Sequence, residues 1–329
     1  MPVHIPFREV CVGALAGWFG LALFCALLAR HIPSETPIGP LARIFDSLAP
    51  WLLALVYVGA MSLWVLGGRK IAVALAVLAT LGAIDLIRLH RAYSLPLVPE
   101  ADIAARVLFF NVLHVNAAFA DQIATAVLET DADVLIFTES QSIRSALPRL
   151  AQHYNILSPC TINTCEIVVA SRLPVRRHWR LSLNPIWPER YAVTELETQK
   201  GQRFFIAASH LLKPWFSGVS GSEVRKLQSQ YDWLNLPVLA VGDFNAAPWA
   251  RHITELMQHT GMNAARRPPG TWPITLGNWA IPIDLALVHN GARLVALTPF
   301  GDDLNSNHRG LLIDLALPAF RASQPRSTP

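Results

Sequence analysis

The chain has 329 residues, of which 52% are hydrophobic and only 15% charged. Basic and acidic residues nearly balance in both parts: 7 against 5 in the first hundred positions, 20 against 18 in the rest, for a net charge of +4. That balance excludes a globally basic nucleic-acid-binding surface, although a local patch remains open. The apolar excess lies in the first hundred residues.

Residues 10–29 carry no charged side chain and end at Arg30 and His31. A stretch of about 20 apolar residues crosses the hydrocarbon core as a helix. Arg8 ahead of it raises a cleaved leader as the alternative. The further apolar segments and the lack of a small-residue cleavage site favour a retained anchor. Residues 50–68 form the second segment, with Trp51 and Trp64 as interfacial anchors, and 71–87 the third, tolerating Asp85. Gly67, Gly68, Arg69 and Lys70 leave room only for a tight turn between them. Residues 1–100 thus read as a multi-pass anchor in the cell membrane, with the bilayer as partner. Arg8, Arg69 and Lys70 favour the cytoplasmic side for that turn and the extracytoplasmic side for the carboxy-terminal domain; Arg30, Arg43, Arg88 and Arg91 count against it.

Beyond residue 100, short apolar runs rich in Val, Ile and Phe read as strands: 106–111, 134–138, 166–170, 191–196, 204–209, 238–241, 283–288, 294–297 and 311–317. Helical stretches fall at 119–129, 143–151, 223–234 and 250–261. Many strands with a few helices between them predict a two-sheet α/β sandwich over 101–320, preceded by the three membrane helices. The polar, Pro- and Ser-rich residues 321–329 read as a disordered tail. Cys11 and Cys25 fall in the first membrane segment, where a thiol acts as a small hydrophobe. Cys160 and Cys165 fit a disulfide of an oxidising compartment, against two free thiols or half a metal site.

The polar residues at the ends of these runs carry the chemistry. Val-Leu-Phe-Phe-Asn ends at Asn111, Val-Leu-Ile-Phe-Thr-Glu at Glu139, and Phe-Phe-Ile-Ala-Ala-Ser-His at His210. Val-Leu-Ala-Val-Gly-Asp-Phe-Asn turns at Gly242 and presents Asp243 and Asn245; the bland reading of that pair is an Asx turn. Asp284 opens a strand, and His308 precedes the last one. If these ends converge, they form one polar pocket at the rim of the sandwich. Taken singly, His210 reads as a core histidine and Asp284 as an ion-pair partner of Arg293. Arg190 reads as a substrate contact or a solvated charge. His114, His289, Asp302 and Asp303 read as peripheral.

The ordered set Asn111, Glu139, His210, Gly-Asp-Phe-Asn at 242–245, Asp284 and Ser-Asn-His at 306–308 resembles the endonuclease/exonuclease/phosphatase superfamily, in its membrane-anchored bacterial branch. The resemblance spans about 104–318 and implies a deoxyribonuclease-I-like fold and metal-dependent phosphoester hydrolysis. It implies that Glu139 binds Mg²⁺, or alternatively Mn²⁺, with Asn111 beside it as ligand or orienting group. Asp243 would orient or deprotonate the attacking water, and Asn245 would contact the phosphate. His308 would stabilise the phosphorus centre or transfer a proton, with Asp284 fixing its tautomer. His210 would lie on the phosphate or leaving-group side. Where the family has Ser-Asp-His, this chain has Asn307, an amide without the charge, which the resemblance places as a weakened third member of the metal set with Glu139 and Asn111.

The expected function is therefore hydrolysis of a phosphodiester or phosphomonoester: a lipid headgroup, a nucleic acid or a small metabolite. A nuclease is the alternative within the enzyme class. A phospholigand-binding scaffold with a site decayed at Asn307 is the alternative outside it. Nothing in the sequence points to a protein partner.

Overall fold

The computed structural model describes residues 7–161, 165–216 and 218–319. The tail expected at 321–329 lies outside them.

Four helices come first: α1 (Phe7–Leu28), α2 (Gly39–Ser47), α3 (Ala49–Val65) and α4 (Arg69–Ala92). α1, α3 and α4 pack around Leu23, Leu53, Val56, Leu63, Leu75 and Ala79. Their outer faces are apolar as well, with Trp18, Phe24, Met61 and Leu81 exposed. Helices apolar on every face belong in lipid or in a larger core. α1 and α4 are each long and apolar enough to cross a membrane. α3 differs from the expected segment at 50–68. Its 17 residues span only about 26 Å, short of the ~30 Å hydrocarbon core. It passes the same test only when joined to α2, from which it is bent by 72°. α2 itself is amphipathic and falls where no element was expected.

Residues 94–316 form two stacked sheets. The strands are β1 (Ser94–Leu95), β2 (Ala105–Asn111), β3 (Val134–Thr138), β4 (Asn155–Ile156), β5 (Ile167–Ser171), β6 (Val175–Leu181) and β7 (Tyr191–Glu197). They continue with β8 (Arg203–His210), β9 (Val238–Asp243), β10 (Asn263–Ala265), β11 (Asp284–His289), β12 (Arg293–Phe300) and β13 (Gly310–Ala316). One sheet runs β1-β10-β11-β9-β8-β7-β6 and the other β12-β13-β2-β3-β5-β4. The period of two sorts each strand's side chains: in β2, Val107 and Phe109 enter the core between the sheets, while Leu108 and Phe110 pack on the outer helical layer. That layer is α5 (Ala120–Glu129) and the short α6 (Leu147–Leu150) on one side, α7 (Ser220–Tyr231) and α8 (Arg251–Thr260) on the other. The helix expected over 143–151 is split between the end of a 3₁₀ stretch, Ser140–Ala146, and the α-helical α6. β6, whose exposed Arg176 and Arg177 interrupt any apolar pattern, was not expected.

The topology explains why polar residues gather at one end. β2 and β3 are parallel, as are β8 and β9, so Asn111, Glu139, His210 and Asp243 all stand at carboxyl ends. β11 and β13 run antiparallel to β9 and β2, so they must begin where those strands finish. Asp284 is the register partner of Asp243. Gly242 does not make a turn, contrary to the sequence expectation. It lies within β9, where a Cβ would meet the Ser209 carbonyl oxygen of β8 at 1.9 Å. Glycine is required by the approach of two backbones.

Candidate active site

Asp243 is the hub. Its Oδ1 accepts the Asn245 amide N–H at 2.8 Å, an Asx turn that Asn245 completes with φ 51°. Its Oδ2 accepts the Asn111 Nδ2 at 3.1 Å. The bland and functional readings of the Asp243–Asn245 pair therefore coexist, because the turn uses one carboxylate oxygen and fixes the other. Oδ2 faces two histidines, with His210 Nε2 at 3.6 Å and His308 Nε2 at 3.9 Å. All four of Asn111, His210, Asp243 and Asp284 are at most 1% exposed.

Each histidine is oriented by a carboxylate behind it. His308 Nδ1–H donates to Asp284 Oδ2 at 2.9 Å. His210 Nδ1–H donates to Glu166 Oε1 at 2.5 Å, and Arg190 bridges to the same oxygen at 2.9 Å. Both imidazoles thus turn Nε2 toward Asp243, and His210 Nε2 is buried without a hydrogen-bond partner among the described residues. Asp284 pairs with His308 rather than with Arg293, whose guanidinium donates to the Pro96 carbonyl. Burial alone would depress the His308 pKa, but Asp284 and Asp243 overcome it and raise it to about 9. His308 is therefore a cation at neutral pH and holds a proton it can donate.

Glu139 stands opposite, in a left-handed conformation (φ 54°) where the chain leaves β3. A non-glycine residue there is uncommon, and such strain clusters at functional sites. Its Oε2 accepts both the His114 backbone N–H at 3.0 Å and the His114 ring at 2.9 Å. Burial would raise its pKa, yet these bonds and the nearby His210 and Lys213 charges lower it to about 2. Ser306 Oγ donates to the Asn111 carbonyl at 2.7 Å and accepts the His308 N–H, which ties the last loop to β2. Asn307 is exposed at the rim; its carbonyl accepts from Ile274. The amide that replaces the family's acid thus stands outside the His308–Asp284 pair.

All eight sequence-predicted residues meet at this end of the sandwich. Four others belong with them: Glu166 and Arg190 behind His210, and His114 and Lys213 beside Glu139. Glu166 opens an apolar run just as Asp284 does. His114 and Lys213 each follow a strand-end residue by three positions, a legible signal in retrospect. Above this floor opens a cleft of about 410 Å³ lined by Glu139, Asn245, His308, Lys213 and apolar residues. A larger hollow of about 630 Å³ lies at the opposite strand ends, between Asp102, Thr198 and Lys200. Asp102 and Lys200 are exposed there, and Asp133 is engaged by the Arg106 backbone N–H.

Could the residues hold a metal? Asp243, Asp284 and His308 offer ligand atoms within 4.8 Å of one another. Two of these groups already bond each other, His308 Nδ1–H to Asp284 Oδ2, and all three are buried. Glu139 is better suited: it is anionic, half-buried, and its Oε1 makes no hydrogen bond among the described residues.

The match to known proteins follows this geometry. The model of the Endonuclease/Exonuclease/phosphatase family matches residues 108–308, more than half of the chain. The chain belongs to that family. Its members generally hydrolyse phosphoester bonds and typically depend on divalent metals. Among solved structures, a functionally unknown conserved protein from Enterococcus faecalis V583 is similar at 12% identity and TM-score 0.52, over 65% of this chain and 100% of that one. The human Nocturnin catalytic domain with bound sulfate is similar at 18% identity and TM-score 0.50, over 67% and 100%. D. rerio TDP2 complexed with single-strand DNA product is similar at 13% identity and TM-score 0.52, over 64% and 98%. At these identities the likeness is one of fold, a deoxyribonuclease-I-like sandwich. No curated protein sequence matches the chain.

Proposed function

We propose that the chain is a membrane-anchored, Mg²⁺-dependent phosphoesterase. The observation that carries the proposal is the convergence of buried His308 and Asp243, whose Nε2 and Oδ2 lie 3.9 Å apart beneath one cleft. A base beside an acid is what in-line hydrolysis of a phosphoester needs. Asp243 Oδ2 orients the attacking water and takes its proton as the new phosphorus–oxygen bond forms. The ester P–O bond breaks, and the leaving alkoxide takes a proton from His308. Asp284 stabilises the imidazolium before that transfer and keeps Nε2 aimed at the reacting oxygens. The Asn245 side-chain N–H donates to a phosphoryl oxygen, and His210, held through Nδ1 by Glu166, lies on the phosphate side. Glu139 would hold the metal, with the Asn111 side-chain amide oxygen as its companion ligand, and the ion would neutralise phosphate charge. Oxygen donors and an anionic carboxylate suit a hard cation.

The polar network supports an intact site rather than a scaffold, because every proton-handling residue has its partner despite Asn307. The anchor comprises α1, α3 and α4 within residues 1–100, with the catalytic domain on the extracytoplasmic side. Arg8 Nε donates to the Leu66 carbonyl, so the α1 start and the basic α3–α4 turn share one end. Two arginines that counted against this orientation are engaged elsewhere: Arg30 pairs with Asp85, and Arg43 is buried against the catalytic domain. The Cys160–Cys165 disulfide agrees with an oxidising compartment.

The test is hydrolysis of bis(p-nitrophenyl) phosphate by the full chain with Mg²⁺, with EDTA, and in Asp243→Asn and His308→Ala. Loss of at least about a thousandfold in each variant is expected. Equal rates in all samples, at buffer level, would sink the enzyme reading.

A further inference from the structure

The wall of the cleft comes from the anchor. Ile44, Ser47 and Leu48, at the end of α2 and its bend into α3, line the same space as Glu139, Asn245 and His308. Trp215, Trp272 and Ile283 complete an apolar side facing that polar floor. α2 is fixed there firmly. Arg43 donates to the Pro214 and Phe216 carbonyls, Asp46 accepts the Arg251 N–H, and Ser47 accepts the Ala247 N–H. Leu48, Trp51, Trp249, Trp272, Ile281 and Ile283 form one apolar cluster across the seam.

This arrangement sets the cleft at the level where α3 enters the bilayer. Trp51, in the first turn of α3, donates its Nε1–H to the Trp279 carbonyl. Around that level the molecule exposes Ile38 and Leu41 on α2, and Trp215, Leu276 and Trp279 on the catalytic domain, each at least 50% accessible. Such side chains suit the membrane–water interface. Among the described residues lining the cleft, Lys213 is the one lysine or arginine. One cation matches one phosphate group, whereas a nucleic-acid strand needs a row of them.

We infer that the substrate is a lipid phosphoester, with its phosphate on the Glu139–Asp243–His308 floor and its hydrocarbon along Ile44, Leu48 and Trp272. The inference rests on the phosphoesterase reading for its chemistry and on the α2 wall for the ligand class. α2 is then a specificity element contributed by the anchor. Amphiphiles reach the floor along it from the bilayer surface, and water-soluble esters leave its apolar side unfilled.

The experiment uses the full chain in amphipol and a series of methyl, butyl and octyl p-nitrophenyl phosphates, which share one leaving group. kcat/KM is expected to rise at least about tenfold from methyl to octyl, from burial of added methylenes. Ile44→Asn and Leu48→Gln are each expected to cut the octyl-to-methyl ratio at least about threefold. A partly unfolded variant would lower both rates together, so the ratio separates specificity from folding. A flat series, an unchanged ratio in both variants, or faster cleavage of single-stranded DNA than of the octyl ester would overturn the inference. If no ester is hydrolysed, the phosphoesterase reading fails by itself. Binding of octyl against methyl methylphosphonate then judges the wall: at least about tenfold tighter octyl binding upholds a lipid phosphate ligand, and equal affinities overturn it.

Discussion

The floor and the wall of the cleft are built on opposite principles. On the floor, buried and partly buried polar groups from six chain segments hold one another through directional bonds: Asn111 on Asp243, Asp284 on His308, Glu166 on His210. The wall is apolar, drawn from α2, the loop after β8 and the segment between β10 and β11. A buried polar network tolerates almost no substitution, since removing one partner leaves the other unpaired. An apolar wall tolerates exchange and tunes what enters. Chemistry is therefore expected to be brittle at the floor, and selectivity gradual at the wall.

The sharpest way to break that contrast is Glu139→Gln. It keeps the shape of the side chain and removes the charge a cation would need. Activity at fixed Mg²⁺ is expected to fall about a thousandfold, about 4 kcal/mol of transition-state stabilisation. Titrating Mg²⁺ against the residual rate checks it; an unaltered metal dependence would place the ion elsewhere.

Next in size is the pH dependence of stability. His308 has its folded pKa raised to about 9 from an ordinary 6.5. Its stabilising effect is therefore complete below pH 6.5 and is lost as pH rises through 9. The difference corresponds to a stability change on the order of 3 kcal/mol. Denaturant unfolding in EDTA at pH 6 and pH 9.5, for the wild type and His308→Gln, checks it. The gap between the two proteins is expected to shrink toward the higher pH. A constant gap would mean that His308 is not a cation in the fold.

Gly242→Ala comes third, because it tests the floor through its backbone. The added methyl meets the Ser209 carbonyl at 1.9 Å, so β8 and β9 must separate. A loss of roughly 2 kcal/mol is expected, the usual scale of overpacking. Chemical denaturation reads it directly, and an unchanged midpoint would refute the close approach.

Legibility in the sequence followed the same division. The floor could be read because each functional residue ends or opens an apolar run, and a run of period two announces where its strand stops. The sandwich was legible for the same reason, and β6 was missed because Arg176, Arg177 and Arg180 break the run. α2 was not legible. Its nine residues hold Arg43 and Asp46, which look like loop charges until their partners, more than 150 positions away in the chain, are in place. Glu166 was visible only as the start of a strand, because nothing local marks it as the group behind His210. Long-range pairing is what a linear reading cannot supply.

The smallest effect expected is at the seam that ties wall to anchor. Trp51→Phe keeps an aromatic ring beside Trp249, 5.9 Å from Trp51 between centroids, and removes the Nε1–H bond to the Trp279 carbonyl together with one ring of packing. A single such bond contributes about 1 kcal/mol. Global stability should therefore move little, while the 274–279 segment, which turns on Gly277 at φ 54°, loses its link to α3. Hydrogen exchange of that segment is expected to quicken about fivefold, the factor a 1 kcal/mol change allows. Exchange that quickens equally across the strands instead would mean that the bond stabilises the whole domain, and that anchor and floor fold as one unit.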